Sequence, residues 1–286
     1  MAATPPAIGS LDELTGRYAA IFCDVWGVLH NGVQPSMEAA AALAAARRKG
    51  LAVVLITNSP RPSPSVVAQL AAIGVPADAW DGIVTSGDVT RDLIAEAPRR
   101  IFHIGAERDL PIFDGLDVEL VEDFEASVVV CTGLVDDDTE TPDDYAELLR
   151  RLRARDLPFI CANPDIVVEK GERLLWCAGA LARDYGQLGG RTSIAGKPHS
   201  PIYDVALKSA SDVLGRPVGR DEVLAIGDGV LTDVKGAVAN GLDVLFVTAG
   251  IHVRDYGDPD SPDAALLAAF LEKHGHEPVA YIPRLR

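Results

Sequence analysis

Four short stretches carry residue types that could handle a phosphoryl group. The run IFCDVWGVLHNG places Asp24 at the end of an apolar segment, with Gly27 and Gly32 beyond it. A carboxylate in that position can attack phosphorus or bind a cation, and it can equally cap a turn. LITNSPRPS offers Thr57, Asn58 and Ser59, whose hydroxyls, amide and backbone N–H groups suit phosphoryl oxygens, although turn chemistry before a proline explains the same letters. In SIAGKPHSP, Lys197 stands between Gly196 and Pro198 as a point charge for phosphate or as a solvated surface lysine. In VLAIGDGVLTDVKGA, Asp228 and Asp233 form a carboxylate pair that suits a hard cation such as Mg²⁺; helix capping is the plain alternative for Asp233.

These residues need a scaffold that sets them side by side, and the hydrophobic rhythm supplies one. Tyr18–Cys23, Leu51–Thr57 and Asp81–Thr85 read as buried strands, separated by helices over Ser36–Arg48 and Ser65–Ile73. Ser36 can cap the first helix, Arg47 to Lys49 suit its negative end, and Gly50 stops it. The rhythm returns late, with strands over Val223–Ile226 and Val244–Thr248 and a helix over Thr232–Asn240 closed by Gly241. Such alternation predicts an α/β fold, a doubly wound parallel sheet of Rossmann type. Between the two blocks IFHIG (101–105), SVVVCTG (127–133), a helix around Asp143–Arg153 and LPFICANPD (157–165) form their own strand and helix pattern. The expected organisation is a discontinuous core over 1–88 and 191–286 with a smaller α/β domain inserted at 89–190. In open parallel sheets ligands bind at the carboxyl ends of strands, where Asp24, Thr57 and Asp228 fall.

Composition removes other classes of function. The 286 residues hold 42 acidic and 26 basic side chains, a formal net charge of −16, which disfavours nucleic acid or an anionic membrane as partner. No apolar run approaches the ~18–20 residues of a membrane span. MAATPPAIGSLDELTGRYAAIF lacks a basic stretch followed by an apolar one, so no signal peptide and a cytoplasmic location are expected. Cys23, Cys131, Cys161 and Cys177 show no metal-ligand spacing and read as reduced thiols.

The order Asp, Thr-Asn, Lys, Asp…Asp, together with DVWGVLHNG, VTSG, ANPD, GKP and GDGVLTDVKGA, resembles the haloacid dehalogenase-like hydrolases. The insert between the Thr-Asn and Lys motifs is similar to that of class IIA, the NagD-like phosphatases. The resemblance implies a Mg²⁺-dependent phosphohydrolase acting on a small phosphorylated metabolite through an aspartyl phosphate. Sugar phosphates, nucleotides and pyridoxal phosphate all fit such a protein. It assigns Asp24 as nucleophile; Thr57, Asn58 and Ser59 to the phosphoryl oxygens; and Lys197 to charge neutralisation. Asp24, Asp228, Asp233 and the Trp26 carbonyl fall to the metal, and Asn163 and Asp165 to a cap motif that meets substrate. ERLLWCAGALARDYG looks like the closing helix of that cap, with Trp176 and Cys177 in its core, and DDDTE (136–140) reads as a solvated loop. Class IIA proteins are often dimers through their caps, which makes a homodimer an expectation.

One position departs from the family pattern. Asp-x-Asp is usual at the first motif, the second Asp protonating the leaving oxygen, and here Trp26 stands in its place. Acid catalysis is worth about 10²–10⁴-fold. The departure therefore implies a slow enzyme, one selective for good leaving groups, or one using another acid such as His30. It leaves two rivals: a phosphometabolite-binding protein with weakened turnover, and a metal-free 2-haloacid dehalogenase, against which Asp228 and Asp233 weigh.

Overall fold

The computed structural model describes residues 5–170 and 173–286. The first apolar run is strand β1 (Ala20–Asp24), buried at every residue, followed by β2 (Ala52–Thr57) and β3 (Gly82–Thr85). Next come β4 (Arg100–Ile104), β5 (Glu119–Leu120), β6 (Val128–Cys131), β7 (Phe159–Cys161), β8 (Val167–Lys170), β9 (Arg173–Trp176) and β10 (Thr192–Ile194). The late block supplies β11 (Val223–Gly227), β12 (Asp243–Val247) and β13 (Ala280–Ile282).

The chain divides into two units. One takes the described residues up to Thr57 with Val67–Val84 and Tyr203–Arg286; the other takes those of Asn58–Val66 and Thr85–Ile202. The first unit holds a six-stranded sheet in the order β13-β12-β11-β1-β2-β3, with β11 and β2 both parallel to β1. The chain winds outward from β1 through β2 to β3, and from β11 through β12 to β13. The strand order therefore reverses between β1 and β11, and the carboxyl ends of those two strands carry Asp24 and Asp228. An α/β fold of Rossmann type is what the alternation predicts, and its switch point is where such folds bind ligands.

Local chemistry sets the connections. The Met37–Arg48 helix starts at Ser36, whose hydroxyl accepts the Ala39 N–H, a cap worth about 1 kcal/mol, and the chain leaves its end through Gly50 at φ +94°. Ala39, Leu43 and Ala46 turn one face of that helix inward. The next helix runs Ser63–Ile73, starting two residues earlier than expected. After β11 the expected single helix is instead a wide π-type turn, Val230–Val234, followed by a short α-helix, Lys235–Ala239. Single π turns inside helices collect at functional sites.

The second unit has its own parallel sheet, β10-β7-β6-β4-β5, and an antiparallel hairpin of β8 and β9. Its core gathers Val129, Cys131, Leu149, Phe159, Leu181 and Tyr185, with Trp176 packed against it. The stretch expected to form one helix around 172–186 divides into β9 and the Ala178–Gln187 helix, while Glu172 lies outside the described residues. Leu175 points inward and Leu174 outward, an alternation that suits a strand. All four cysteines are buried and outside any disulfide, and burial pushes the Cys161 thiol up to about 12, far from reactive thiolate. Among the described residues no helix is long and apolar enough to cross a membrane.

Candidate active site

Asp24, Asp228 and Asp233 come together in the first unit, each buried, with carboxylate oxygens within 4.8 Å of one another. Three negative charges this close and this dry repel strongly, and a hard divalent cation with oxygen preference is their natural counterion. No cysteine or histidine belongs to the group, so its donor set suits Mg²⁺ better than zinc.

Backbone groups fix each carboxylate. The Val25 N–H donates to Asp24 Oδ1 at 2.7 Å, and the Ile251 N–H to Asp228 Oδ2 at 3.0 Å. The Gly229 N–H donates to Asp233 Oδ2 at 3.0 Å, while the Asp233 N–H returns to the Gly229 carbonyl at 2.8 Å. Glycines make the room. A Cβ at Gly27, which sits at φ +84°, would lie 2.3 Å from Asp228 Oδ2; at Gly250 it would lie 2.0 Å from the same atom, and at Gly227 2.2 Å from Asp233 Cγ. Asp228 and Asp233 thus occupy a cradle that a side chain at any of these glycines would fill. Gly250→Ala is accordingly expected to cost about 1–3 kcal/mol, because Asp228 Cβ is also in the way and the strain has no flexible outlet. Urea unfolding would read this, and an unchanged midpoint would contradict it.

Trp26 and His30 close the loop after β1. Their rings meet edge to face with centroids 4.9 Å apart, and the Gly27 N–H donates to the His30 carbonyl at 2.9 Å. His30 is buried, and its Nδ1 accepts the Gly32 N–H at 2.9 Å, so the neutral ring carries its proton on Nε2. Thr57 is buried at the end of β2.

The remaining sequence candidates belong to the second unit. Asn58 commits its whole carboxamide there. Its Oδ1 accepts the Lys197 N–H at 2.8 Å, and its Nδ2 donates to Asp165 Oδ1 at 2.8 Å and to the Lys197 carbonyl at 3.2 Å. Asn163 Oδ1 accepts the Asp165 N–H at 3.1 Å. Gly196 permits this approach, since a Cβ on it would stand 2.7 Å from Asn58 Oδ1 and 2.6 Å from the buried Ser86 Oγ. Ser59 Oγ accepts the Arg61 N–H, and its carbonyl accepts that of Gly87. Lys197 is 2% exposed, which removes the solvated-surface alternative. The acidic run Asp136–Asp138 also clusters, but it is largely open to solvent and paired with Arg108, Lys170 and Arg173, as a solvated loop should be.

Sequence reading did not find Gly250, Ile251 and His252, the loop after β12. His252 Nε2 accepts the Val230 N–H at 3.3 Å, and burial lowers its pKa below the ordinary imidazole value, keeping the ring neutral and able to accept. The available signal was a glycine three residues beyond a buried strand, the spacing that Gly27 shows after β1.

The sheet order and the switch-point carboxylates define a Rossmann-type α/β protein with an acidic site at its strand ends, and comparison narrows it. A family model described as haloacid dehalogenase-like hydrolase matches residues 21–119, and a related HAD-like hydrolase model matches 194–273. A crystal structure of a hydrolase of the haloacid dehalogenase-like family from Brucella suis 1330 is 62% identical, covers 97% of this chain and 99% of its own, and superposes with a TM-score of 0.88. The chain belongs to the haloacid dehalogenase-like hydrolase family. It is 27% identical to the 5′-nucleotidase YutF of Bacillus subtilis, over 87% of this chain and 95% of that protein. It shares the fold of NagD from E. coli K-12, at 21% identity and TM-score 0.65 over 93% and 96% of the two chains, in keeping with the class IIA resemblance of its motifs.

Proposed function

We propose that this protein is a Mg²⁺-dependent phosphohydrolase of small phosphorylated metabolites, acting through an aspartyl phosphate on Asp24. The observation that carries the reading is the buried trio of Asp24, Asp228 and Asp233 at the switch point. A metal-free dehalogenase has no use for two further carboxylates beside its nucleophile. That YutF is named a 5′-nucleotidase supports phosphate esters as the substrate class.

In this reading an Asp24 carboxylate oxygen forms a bond to phosphorus as the bond from phosphorus to the leaving oxygen breaks, and water then hydrolyses the aspartyl phosphate to regenerate Asp24. Asp24, Asp228, Asp233 and the Trp26 carbonyl would hold Mg²⁺, which supplies charge neutralisation for the phosphoryl oxygens when bound. Thr57 and Ser59 offer hydroxyls and Asn58 its backbone N–H, since its carboxamide is spent on Lys197 and Asp165. Lys197 contributes a preorganised positive charge in a dry setting, where such charges are worth most. Asn163 and Asp165 take a holding role through Asn58. The segment 89–190 serves as the specificity-setting cap, and a sugar phosphate, a nucleotide or pyridoxal phosphate is the substrate class. A cytoplasmic location and a homodimer complete the proposal.

Phosphate release from a panel of phosphometabolites, with and without Mg²⁺ and beside halide release from 2-haloacids, tests it. Mg²⁺-dependent phosphate release is expected. Halide release would favour dehalogenation, and tight binding with no turnover would favour a binding protein. Isothermal titration of Asp228→Asn is expected to show Mg²⁺ affinity lost or greatly weakened; affinity equal to the parent would remove Asp228 from the metal site.

A further inference from the structure

His252 lies outside every motif, yet it stands beside the strand end that presents Asp228 and the turn that presents Asp233. The loop after β12 touches both of them through consecutive residues. Ile251 donates its N–H to Asp228 Oδ2 at 3.0 Å, and His252 accepts the Val230 N–H on Nε2 at 3.3 Å. Val230 opens the π-type turn that carries Asp233. The first N–H groups of a helical turn have no partner within it, so this donor needs an acceptor from elsewhere. The imidazole supplies it. Its own orientation is set on the other side, where the ring packs against Phe270 with centroids 5.0 Å apart and Nδ1 lies 3.7 Å from Asp255 Oδ2. Phe270 in turn meets the fully buried Tyr256 edge to face at 5.4 Å. The ring is thus held by the Ala264–His274 helix and holds the start of the turn.

We propose that His252 is a positioning residue for the metal site: its Nε2 anchors the Val230 N–H and so fixes Asp233 relative to Asp228. The inference rests on the reading of the acidic trio as a Mg²⁺ site. Partners one step removed from metal ligands typically change metal affinity by about 10–100-fold when lost, and nothing about this acceptor requires it to meet substrate.

His252→Phe keeps a ring on Phe270 and removes the acceptor, whereas His252→Gln restores an acceptor at similar reach. Val230→Pro removes the same hydrogen bond from the donor side. Proline suits the first position of a helix, and Gly229 already has the extended backbone (φ −86°, ψ 113°) that a following proline requires. Mg²⁺ titration calorimetry of the whole protein, with thermal melts and amide exchange at Val230, reads the outcome. Affinity is expected to fall about 10–100-fold in His252→Phe and in Val230→Pro, to recover to near the parent in His252→Gln, and to fall no further when Phe and Pro are combined. Amide exchange at Val230 should quicken in His252→Phe. Parental Mg²⁺ affinity in a folded His252→Phe overturns the proposal while leaving the metal site standing. Should that variant not fold, parental affinity in Val230→Pro does the same. A parent protein that binds no Mg²⁺ overturns both this inference and the metal reading beneath it.

Discussion

Asp24→Asn is expected to abolish phosphate release while the protein stays folded. The carboxamide has nearly the carboxylate's shape, and its Oδ1 can still accept the Val25 N–H, so the end of β1 should keep its geometry. It is a poor nucleophile and cannot form the acyl phosphate, so the covalent route closes altogether. Removing one of three clustered negative charges also relieves repulsion among them. A steady-state assay beside a thermal melt checks both expectations. Residual turnover above about a tenth of the parent would mean that water attacks phosphorus directly and that Asp24 acts as a base or ligand.

Trp26→Asp is expected to have an equally large effect in the opposite direction, and on one class of substrate only. Without a positioned acid the leaving oxygen departs as an anion. Phenols, with pKa about 10, tolerate this, whereas sugar alkoxides, closer to water's value of about 15.7, do not. The parent should therefore cleave aryl or acyl phosphates measurably and simple sugar phosphates slowly. An aspartate at position 26 should restore part of the about 10²–10⁴-fold acid contribution for alkyl phosphates and little for aryl ones. The substitution also removes the indole edge from His30, so a melt must accompany the kinetics. The reading is the ratio of kcat/KM for an alkyl and an aryl phosphate in both proteins. If the parent already turns over a sugar phosphate at ordinary enzymatic rates, Trp26 is no handicap. The buried His30, with its proton on Nε2, is then the first residue to test as the acid.

Much of the first unit was legible because local signals agreed. Ser36, Gly50 and Gly241 mark helix ends that the structure reproduces, and the apolar runs ending at Asp24, Thr57 and Gly227 became buried strands in parallel register. Where the reading fell short, the deciding interactions were long-range. Asn58 looks like a phosphate ligand in sequence, yet its amide is taken by Asp165 and Lys197, 107 and 139 residues away. The π-type turn at Val230–Val234 opens on an N–H whose acceptor lies 22 residues distant, and TDVKGA on its own reads as ordinary α-helix. The three-residue strand Ala280–Ile282 is too short to carry periodicity and exists because β12 offers it an edge.

The covalent role of Asp24 is open to one direct chemical test. The protein is mixed with an aryl phosphate and Mg²⁺, quenched during turnover and treated with borohydride, which reduces an acyl phosphate to the alcohol. Peptide mass analysis then reads position 24. Conversion to homoserine there, dependent on substrate and absent without it, is the predicted result. Full turnover with an unmodified Asp24 at every quench time, or reduction at another carboxylate, would contradict the account.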